Sequence, residues 1–215
     1  WQLSLLSPNA LGGLTGAAIV GLTTAQEAGL SISQMAGVST APLAALNSSQ
    51  TLALSTAQIA ALAPSQFTAL STASIAALSS VQMGALTSSQ FVSMTSLQFG
   101  AITTAQLRGF GAMQLNALTA GQMRGMSSTQ LSLLGTAQLG MISTSALGGL
   151  TSTGIAGLGS SQQSALSTLQ IAALSTEAIY GLSNVQIGLL GSAQQRALQS
   201  QQIAALQTSA VAALS

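Results

Sequence analysis

The 215-residue chain has almost no ionisable side chains. It contains no cysteine, histidine, lysine or aspartate, and its only charged residues are two glutamates and three arginines. Without cysteine there are no disulfides, so cysteine usage says nothing about the redox compartment. Glu27 and Glu177 are far apart in the sequence, which leaves no acid–base pair, and a Ser or Thr nucleophile would have no base beside it. We therefore expect no enzyme activity and no catalytic residues.

The same scarcity bears on ligands and partners. Metal sites need clusters of Cys, His or carboxylate side chains, so we expect no metal and no cofactor. Three arginines cannot neutralise enough phosphates for nucleic-acid binding. Residues 28–107 carry no charge, but Ser, Thr and Gln recur throughout them, and a spanning helix needs about 20 mostly apolar residues. We expect no nucleic acid, no membrane span and no small-molecule substrate.

What the chain has instead is a strict eight-residue period. A large apolar side chain, usually leucine, stands at every eighth position from Leu6 to Leu214. A fixed period over a whole chain marks a repeat protein. We number each octad from this residue, with Leu54–Ala61 as the reference. Ser, Thr or Asn holds position two in 20 of 27 octads, Gln holds position five in 19 of 27, and position six is apolar in 23 of 27.

Position two and position five together form a helix start signal. Ser or Thr followed three residues later by Gln is the capping box, in which each side chain bonds the other residue's backbone N–H. Positions one and six then form a hydrophobic staple, so we expect Leu54 to pack against Ile59. Pro8 and Pro64 stand at position three, the first helical residue, and Pro42 stands at position five, still in the first turn. Each octad is predicted to form one short helix.

This pattern predicts an all-α solenoid of very short helices, with the leucine column inward. A single long helix is excluded because eight residues advance by about 800°, which would wind the leucines around the helix. A β-solenoid is the alternative. In a strand, however, the apolar side chains of positions one and six would point to opposite faces, and Ala and Gln favour helix. The number of octads per turn stays open between three and four. Departures from Gln at residues 10, 42 and 74, and again at 146, 178 and 210, favour four, whereas Gly111, Gly135 and Gly159 favour three.

The array is predicted to be one continuous domain over residues 1–215. Because it begins and ends within a repeat and shows no signal peptide, we expect it to be an excerpt of a longer chain. Small residues, Ala, Gly or Ser, hold position eight in 23 of 27 octads and are expected to let neighbouring backbones approach. Four polar residues interrupt position six, and we interpret them as tolerated intrusions near the edge of the core rather than contacts between rods: Glu27, Thr51, Gln163 and Gln195.

Two further sets of residues have a structural and a functional interpretation. Arg108, Arg124 and Arg196 share position seven with Tyr180, and we interpret this column as facing solvent, with contact between rods as the alternative. Three phenylalanines hold position six, where core filling is favoured over a ligand pocket: Phe67, Phe91 and Phe99. The seven methionines fit the same interpretation.

The octads also resemble a known repeat style. Leu54–Ala61, Leu70–Ala77 and Leu166–Ala173 resemble the Leu-[Ser/Thr]-x-x-Gln-[Ile/Leu]-x-x tandem repeats of very large bacterial secreted and surface proteins, which are described as adhesin-like or biofilm-associated. They are more distantly similar to the short-helix superhelical repeats of the mesothelin and stereocilin group, whose acidic Pro-Glu pair is approached here only by Pro64–Gln66. The resemblance transfers no functional residue and implies an extended protein at the cell surface or outside the cell.

Low charge and high apolar content favour association. We therefore expect a structural protein that forms an extracellular filament, stalk or biofilm-matrix fibre, with other copies of itself as partner. The alternative is a binding module: a spacer that presents an adhesive tip, or an ice-binding face built from Ser and Thr columns. Positions two and three mix Ser, Thr, Gly, Pro and Asn, which makes a poor lattice for ice.

Overall fold

The computed structural model describes residues 3–206 and residue 211, so Leu214 and residue 210 lie outside it. The chain divides into two compact units, Trp1–Phe110 and Gly111–Ser215. Each unit is an all-α solenoid of very short helices. The described residues contain no strand, so the β-solenoid alternative is wrong for them.

A 3-10 helix, Leu3–Leu5, precedes 25 α-helices of four to six residues in the described part of the chain. Every α-helix begins at position three of its octad, as the capping box predicts. The helices are α1 Pro8–Leu11, α2 Gly16–Val20, α3 Thr24–Ala28, α4 Ile32–Gly37, α5 Thr40–Ala45, α6 Ser48–Ala53, α7 Thr56–Ala60, α8 Pro64–Ala69, α9 Thr72–Ala77, α10 Ser80–Gly84, α11 Ser88–Ser93, α12 Ser96–Gly100, α13 Thr104–Arg108, α14 Ala112–Asn116, α15 Ala120–Gly125, α16 Ser128–Ser132, α17 Thr136–Met141, α18 Thr144–Leu147, α19 Ser152–Ala156, α20 Ser160–Ser164, α21 Thr168–Ala172, α22 Thr176–Tyr180, α23 Asn184–Gly188, α24 Ser192–Arg196 and α25 Ser200–Ala205.

The N-cap at position two starts each helix. At Ser55 the backbone is extended, with φ −70° and ψ 157°, and the hydroxyl accepts from the backbone N–H at position five. Where position two is Ala or Gly, as at Ala63 and Gly111, only the glutamine half of the capping box forms. Ser39 caps no N–H because the residue three positions later is Pro42, which has none. The capping box is therefore confirmed, with exceptions that its chemistry explains.

Three octads make one turn of each solenoid, because each helix packs on the third helix before it. In the first unit α5 packs on α2, α8 on α5 and α11 on α8, and in the second unit α19 packs on α16, α22 on α19 and α25 on α22. One coil is therefore 24 residues. The 32-residue spacing that favoured four octads per turn is wrong as a guide, and the 24-residue spacing of the glycines at position two is correct.

Positions one, five and six face the interior of each unit, and positions two, three, four and seven face outward. Leu54 and Ile59 are both buried, with 3% and 0% of their surface exposed. Such short helices cannot be stable alone, because nucleation costs more than so few hydrogen bonds return. Packing between coils must therefore supply the stability of both units.

The polar residues of position six lie deeper than the sequence analysis proposed. Glu27, Thr51 and Gln163 are at most 1% exposed, and only Gln195 is partly exposed. The edge-of-core interpretation is wrong for the first three, because position six of these octads points toward the interior of the solenoid. Thr51 donates its hydroxyl to the Asn47 carbonyl at 2.9 Å, so its polar group is satisfied locally.

Aromatic residues fill the interior of the first unit. Phe67, Phe91 and Phe99 are buried, as the core interpretation predicts. The rings of Phe91 and Phe99 meet edge-on with centroids 5.7 Å apart, and Phe91 meets Phe110 in the same way at 5.3 Å, a geometry that aromatic pairs prefer. Among the described residues, no helix has the length and apolarity needed to cross a membrane.

Candidate functional site: a buried glutamine ladder

The recurring polar feature of the interior is the glutamine at position five. In the reference octad, the Gln58 side-chain oxygen accepts from the Ser55 backbone N–H at 2.8 Å, which is the capping bond. Its Nε2 donates to two carbonyls of the coil beneath, Glu27 at 2.9 Å and Leu30 at 2.8 Å. The carbonyls lie 31 and 28 residues earlier. One side chain therefore starts its own helix and bonds that helix to the preceding coil.

The same geometry repeats through both units, and we call it the glutamine ladder. Nε2 reaches a position-six carbonyl 31 residues earlier and a position-one carbonyl 28 residues earlier, at 2.5–3.5 Å. Each position-six carbonyl also accepts the N–H of the next position-one residue, as Ile59 accepts from Leu62. The ladder therefore adds a side-chain donor to buried carbonyls at the end of a helix, where intrahelical donors are few. Rungs with both bonds include Gln34, Gln50, Gln58, Gln66, Gln82, Gln90, Gln98 and Gln106 in the first unit, and Gln162, Gln170, Gln186, Gln194 and Gln202 in the second.

Other residues replace part of a rung where position five is not Gln. Ser74 donates its hydroxyl to the Leu46 carbonyl at 2.9 Å, the position-one acceptor that Gln would use. In the octad of Ala178 the cap residue acts instead, because the Ser175 hydroxyl donates to the Leu150 carbonyl at 3.2 Å. Hydroxyl groups thus recover one of the two contacts to the coil beneath.

Octads with Ala or Gly at position five carry glycine at position eight. Within residues 3–206, each octad with Ala or Gly at position five has Gly at position eight, the pairs being Ala10 with Gly13, Ala18 with Gly21, Ala146 with Gly149, Gly154 with Gly157 and Ala178 with Gly181. A Cβ on Gly149, Gly157 or Gly181 would lie within 2.7 Å of backbone atoms in the coil beneath. The first two pairs belong to the first described coil, which has no described coil beneath it. Beyond residue 206 the sequence departs from the pattern, because Ala210 is followed by Ala213 at position eight.

This arrangement defines two ways to stack one coil on another. In the first, Gln bonds the two coils and position eight has room for a Cβ, as in the octad of Gln82, where Ala85 stands at position eight. In the second, a small residue replaces Gln and glycine admits the neighbouring backbone. Gly37 makes an equally close approach, to Pro8, in an octad that has Gln34. A Cβ on Gly109, in an octad that has Gln106, would make only ordinary contact with Ser80 at 3.5 Å, so glycine at position eight permits a close approach without requiring one.

The charged residues do not come together into a site. Arg108, Arg124 and Arg196 are exposed at position seven, which confirms that this column faces solvent. Arg124 and Glu177 form an ion pair in the second unit with nitrogen and oxygen 3.6 Å apart and both side chains about half exposed. Such exposed pairs contribute little, about 0–1 kcal/mol. Among the described residues, no group of three or more His, Cys, Asp or Glu side chains is placed to hold a metal ion.

Glu27 is the exception among the charged residues, because it is buried. Its Oε1 accepts from Gln50 Nε2 at 2.7 Å, and its Oε2 has no hydrogen-bond partner. Burial raises the pKa of this carboxyl from its ordinary 4.5 to about 7, since a charge in an apolar interior is unfavourable. The Gln163 side-chain oxygen is the other buried acceptor without a partner in the described part of the chain.

The surface of the second unit carries an open groove beside α22 and α23. Its lining includes Tyr180, Val185, Leu158 and Asn184. Its lining contains no Asp, Glu, Lys, Arg or His side chain, so the groove holds no charged residue that would recognise a charged ligand. It is a feature of the outer surface, separate from the ladder.

A family model described as the ALTTAQ repeat matches residues 59–96. Its six letters correspond to positions eight, one, two, three, four and five of our octads, as in Ala85–Gln90. The chain is a tandem-repeat protein. Among curated proteins, none matches the chain. The eight-residue period of this repeat array continues on both sides of the matched segment.

The sequence pattern predicts the capping bond of each glutamine but not its bonds to the coil beneath. The capping box accounts for Oε1 and leaves Nε2 without a purpose. Gln58 and Gln90 are buried, at 2% and 0% exposed, and a buried amide needs partners for both of its ends. The signal that would have revealed the ladder is the regularity of Gln itself, because Glu would also complete a capping box yet never takes position five in this chain.

Proposed function

We propose that the repeat array is a structural protein that associates with copies of itself into an extracellular filament, stalk or biofilm-matrix fibre. The glutamine ladder carries this proposal. The recurring buried glutamines bond each coil to the coil beneath, with up to one rung in each octad. A protein organised in this way gains stability coil by coil and can be extended without a new design. That property suits a material.

The outward side chains support association between arrays. Position four carries exposed apolar residues, and we call this set the outer apolar column: Val81, Leu97, Met113, Leu169 and Val185, each at least 67% exposed. The whole chain has a net charge of +1, and proteins with net charge near zero tend to associate. Within the first unit Val81 and Leu97 lie in different stacks of helices, α10 on α7 and α12 on α9, so each would contribute a separate apolar contact between copies.

The location outside the cell is part of the proposal. It is supported by the resemblance of the octads to repeats of secreted and surface proteins. It is also supported by composition, since three arginines and no lysine leave few sites for trypsin-like proteases. A long-lived material exposed to such proteases benefits from that scarcity.

The test is whether the chain polymerises. We expect concentrated protein to form ordered fibres visible by electron microscopy. The variant Leu97→Glu with Leu169→Glu should raise the concentration needed for assembly by about tenfold or more, since it places charge in the apolar contacts while leaving the core intact. The matched control is Ser89→Glu with Thr129→Glu, which adds the same charge at exposed residues of position four without removing an apolar side chain. Circular dichroism should show unchanged helix content in both.

Two outcomes would contradict parts of the proposal. A strictly monomeric array at high concentration would exclude self-association and favour a spacer that carries an adhesive tip. Equal effects of the two glutamate pairs would show that charge alone controls assembly and that the outer apolar column is not the contact. For the ice-binding alternative, hydroxyls such as those of Ser55 and Thr87 accept capping bonds, so we expect no thermal hysteresis in dilute solution.

A further inference from the structure

Glu27 lies where the array otherwise places an apolar side chain. It holds position six of α3 and is 1% exposed, although Ile19 and Met35 fill the same position in the adjacent octads. A carboxylate buried without a counter-charge is strongly disfavoured, and such a group tends to become neutral. Glu27 is the one ionisable side chain in residues 3–107. The helices around it, α1 to α7, therefore present no titratable or charged group to its carboxyl.

The single donor to this carboxyl is a rung of the ladder. Gln50 Nε2 has two hydrogens, yet it lies within reach of four acceptors. It is 2.7 Å from Glu27 Oε1, 2.9 Å from the Ile19 carbonyl, 3.2 Å from Leu22 and 3.4 Å from Val20. An ordinary rung such as Gln90 gives both hydrogens to carbonyls at 2.7 Å. The carboxyl therefore competes with the backbone for the hydrogens of Gln50.

Ionisation of Glu27 adds to this competition in two ways. A carboxylate is a stronger acceptor than a carboxylic acid, so it draws Gln50 away from the carbonyls of the coil beneath. Ionisation also places negative charge on Oε2, which is buried and has no hydrogen-bond donor. Protonation removes the charge and weakens the hold on Gln50. The ladder and the protonation of one core residue are thereby coupled.

We propose that Glu27 and Gln50 form a pH-sensitive latch, which keeps the coils of α2, α3 and α6 closed in acid and lets them open locally when Glu27 ionises. Opening is local because coils in a solenoid contact mainly their neighbours. Acidification would therefore consolidate this segment, and a neutral or alkaline medium would loosen it. The rest of the first unit has no further ionisable core residue in the described coils.

The direction of the effect follows from linkage. The pKa of Glu27 is about 7 in the folded chain and 4.5 when the carboxyl is exposed, so the closed state binds more protons between these values. Stability is fully present below pH 4.5, falls as the pH rises toward 7 and is constant above that. The full change corresponds to about 300-fold in the equilibrium between closed and open coils, the ratio between the two acid constants.

Two measurements on the native chain test the latch. The chain has two glutamates, so its carboxyl ¹³C spectrum contains two glutamate signals, and the Glu27 signal should titrate with a midpoint near pH 7. Amide hydrogen exchange, corrected for the intrinsic pH dependence, should show protection at Leu30, Thr51 and Leu54 falling by up to about 300-fold between pH 4 and pH 8. A midpoint near 4.5, or protection that does not change with pH, would overturn the proposal.

Variants separate the latch from general effects of pH. Glu27→Gln keeps the shape without the charge and should make protection of these amides independent of pH. Glu27→Leu, which restores the usual apolar residue, should do the same and remains informative if the glutamine variant folds poorly. Glu177→Gln removes the exposed glutamate of the other unit and should leave the pH dependence unchanged. Persistent pH dependence in Glu27→Leu, or its loss in Glu177→Gln, would exclude Glu27 as the titrating group.

Discussion

At the scale of one residue, the glutamine at position five is useful because its amide has two different ends. The oxygen accepts the N–H that starts a helix, and the nitrogen donates to two carbonyls at the end of one helix in the coil beneath, as Gln58 does to Glu27 and Leu30. Ionised glutamate offers only acceptors, and methionine offers no strong hydrogen-bonding group. The network also determines which end of the amide is which, since only the nitrogen can face carbonyls. This dual demand explains why Gln predominates at position five.

Removing one buried rung should therefore be costly. We expect Gln90→Met, which keeps the size of the side chain, to lower the free energy of unfolding by about 3 kcal/mol, because the Ile59 and Leu62 carbonyls and the Thr87 N–H lose a buried partner. Urea denaturation would measure the change in the midpoint. Hydrogen exchange at Leu62, whose N–H bonds Ile59, would show whether the loss is local.

Gln26→Met is the matched control. Gln26 is exposed and completes a capping box with Thr23 at 2.8 Å, so water can replace its bonds. We expect a loss of about 1 kcal/mol or less. Equal losses in the two variants would mean that capping alone accounts for the glutamines and that the bonds between coils contribute nothing measurable.

At the scale of one octad, the spacing to the coil beneath depends on positions five and eight together. The room left at position eight differs between an octad with Gln and one with Ala at position five. In the octad of Gln82 the spacing leaves room for Ala85, whereas in the octad of Ala178 the Ser152 backbone occupies the place of a Cβ on Gly181. The two positions are therefore expected to be energetically coupled.

Gly181→Ala should destabilise the second unit by about 2–3 kcal/mol, because the new Cβ would lie 2.3 Å from the Ser152 carbonyl oxygen, and backbone cannot yield as a flexible side chain can. Adding Ala178→Gln should recover much of this loss by restoring the wider, bonded spacing. A double-mutant cycle by chemical denaturation measures the coupling. Strictly additive losses would show that the two positions act separately.

Gly140→Ala is the control for helix propensity in the same unit. A Cβ there would meet nothing within 4 Å, and the residue lies inside α17. We expect this variant to be neutral or to gain up to about 1 kcal/mol, since Ala is the better helix former. A loss comparable to that of Gly181→Ala would mean that close approach is not the cause.

The octad pattern predicts the helix starts but not the number of octads per turn. The pattern of Ser55 and Gln58 is local, and it correctly predicts where each helix starts. The number of octads per turn depends on the bend between helices, which is the same in each octad and leaves no distinct mark in the pattern. Gly111, Gly135 and Gly159 at position two are spaced by 24 residues, but the gaps in the Gln column at residues 10, 42 and 74 are spaced by 32 and favoured the wrong number.

The enclosure of Glu27 was missed for a different reason. A polar residue in an apolar column is more often found at an edge, where water can reach it. Here three short helices surround the interior of each coil, and a further coil covers Glu27, so its side chain does not reach solvent. Position six reaches solvent only toward the ends of the described array, as at Gln195 and Ile203. That closure could not be predicted while the number of octads per turn stayed open.

At the scale of the whole array, each octad is nearly interchangeable with the others, because ladder bonds run to the main chain. Gln58 bonds the carbonyls of Glu27 and Leu30, and Gln82 bonds those of Thr51 and Leu54. Since a carbonyl is present whatever the side chain, a rung does not depend on which residue lies beneath it. The array must therefore preserve the eight-residue register, which places each position-five glutamine above the carbonyls of positions six and one.

Deleting one full coil, Leu54–Ala77, should therefore leave a folded array in which Gln82 takes the place of Gln58 above Glu27 and Leu30. We expect the helix content per residue by circular dichroism to be unchanged and the unfolding free energy to fall only by the share of the coil removed. Deleting half an octad, Leu54–Ala57, removes fewer residues but shifts position five out of register. That variant should lose cooperative unfolding and protection at Phe91 and Phe99, although its composition is closer to the native chain. If both deletions were tolerated equally, general hydrophobic packing, and not the ladder in its eight-residue register, would hold the coils together.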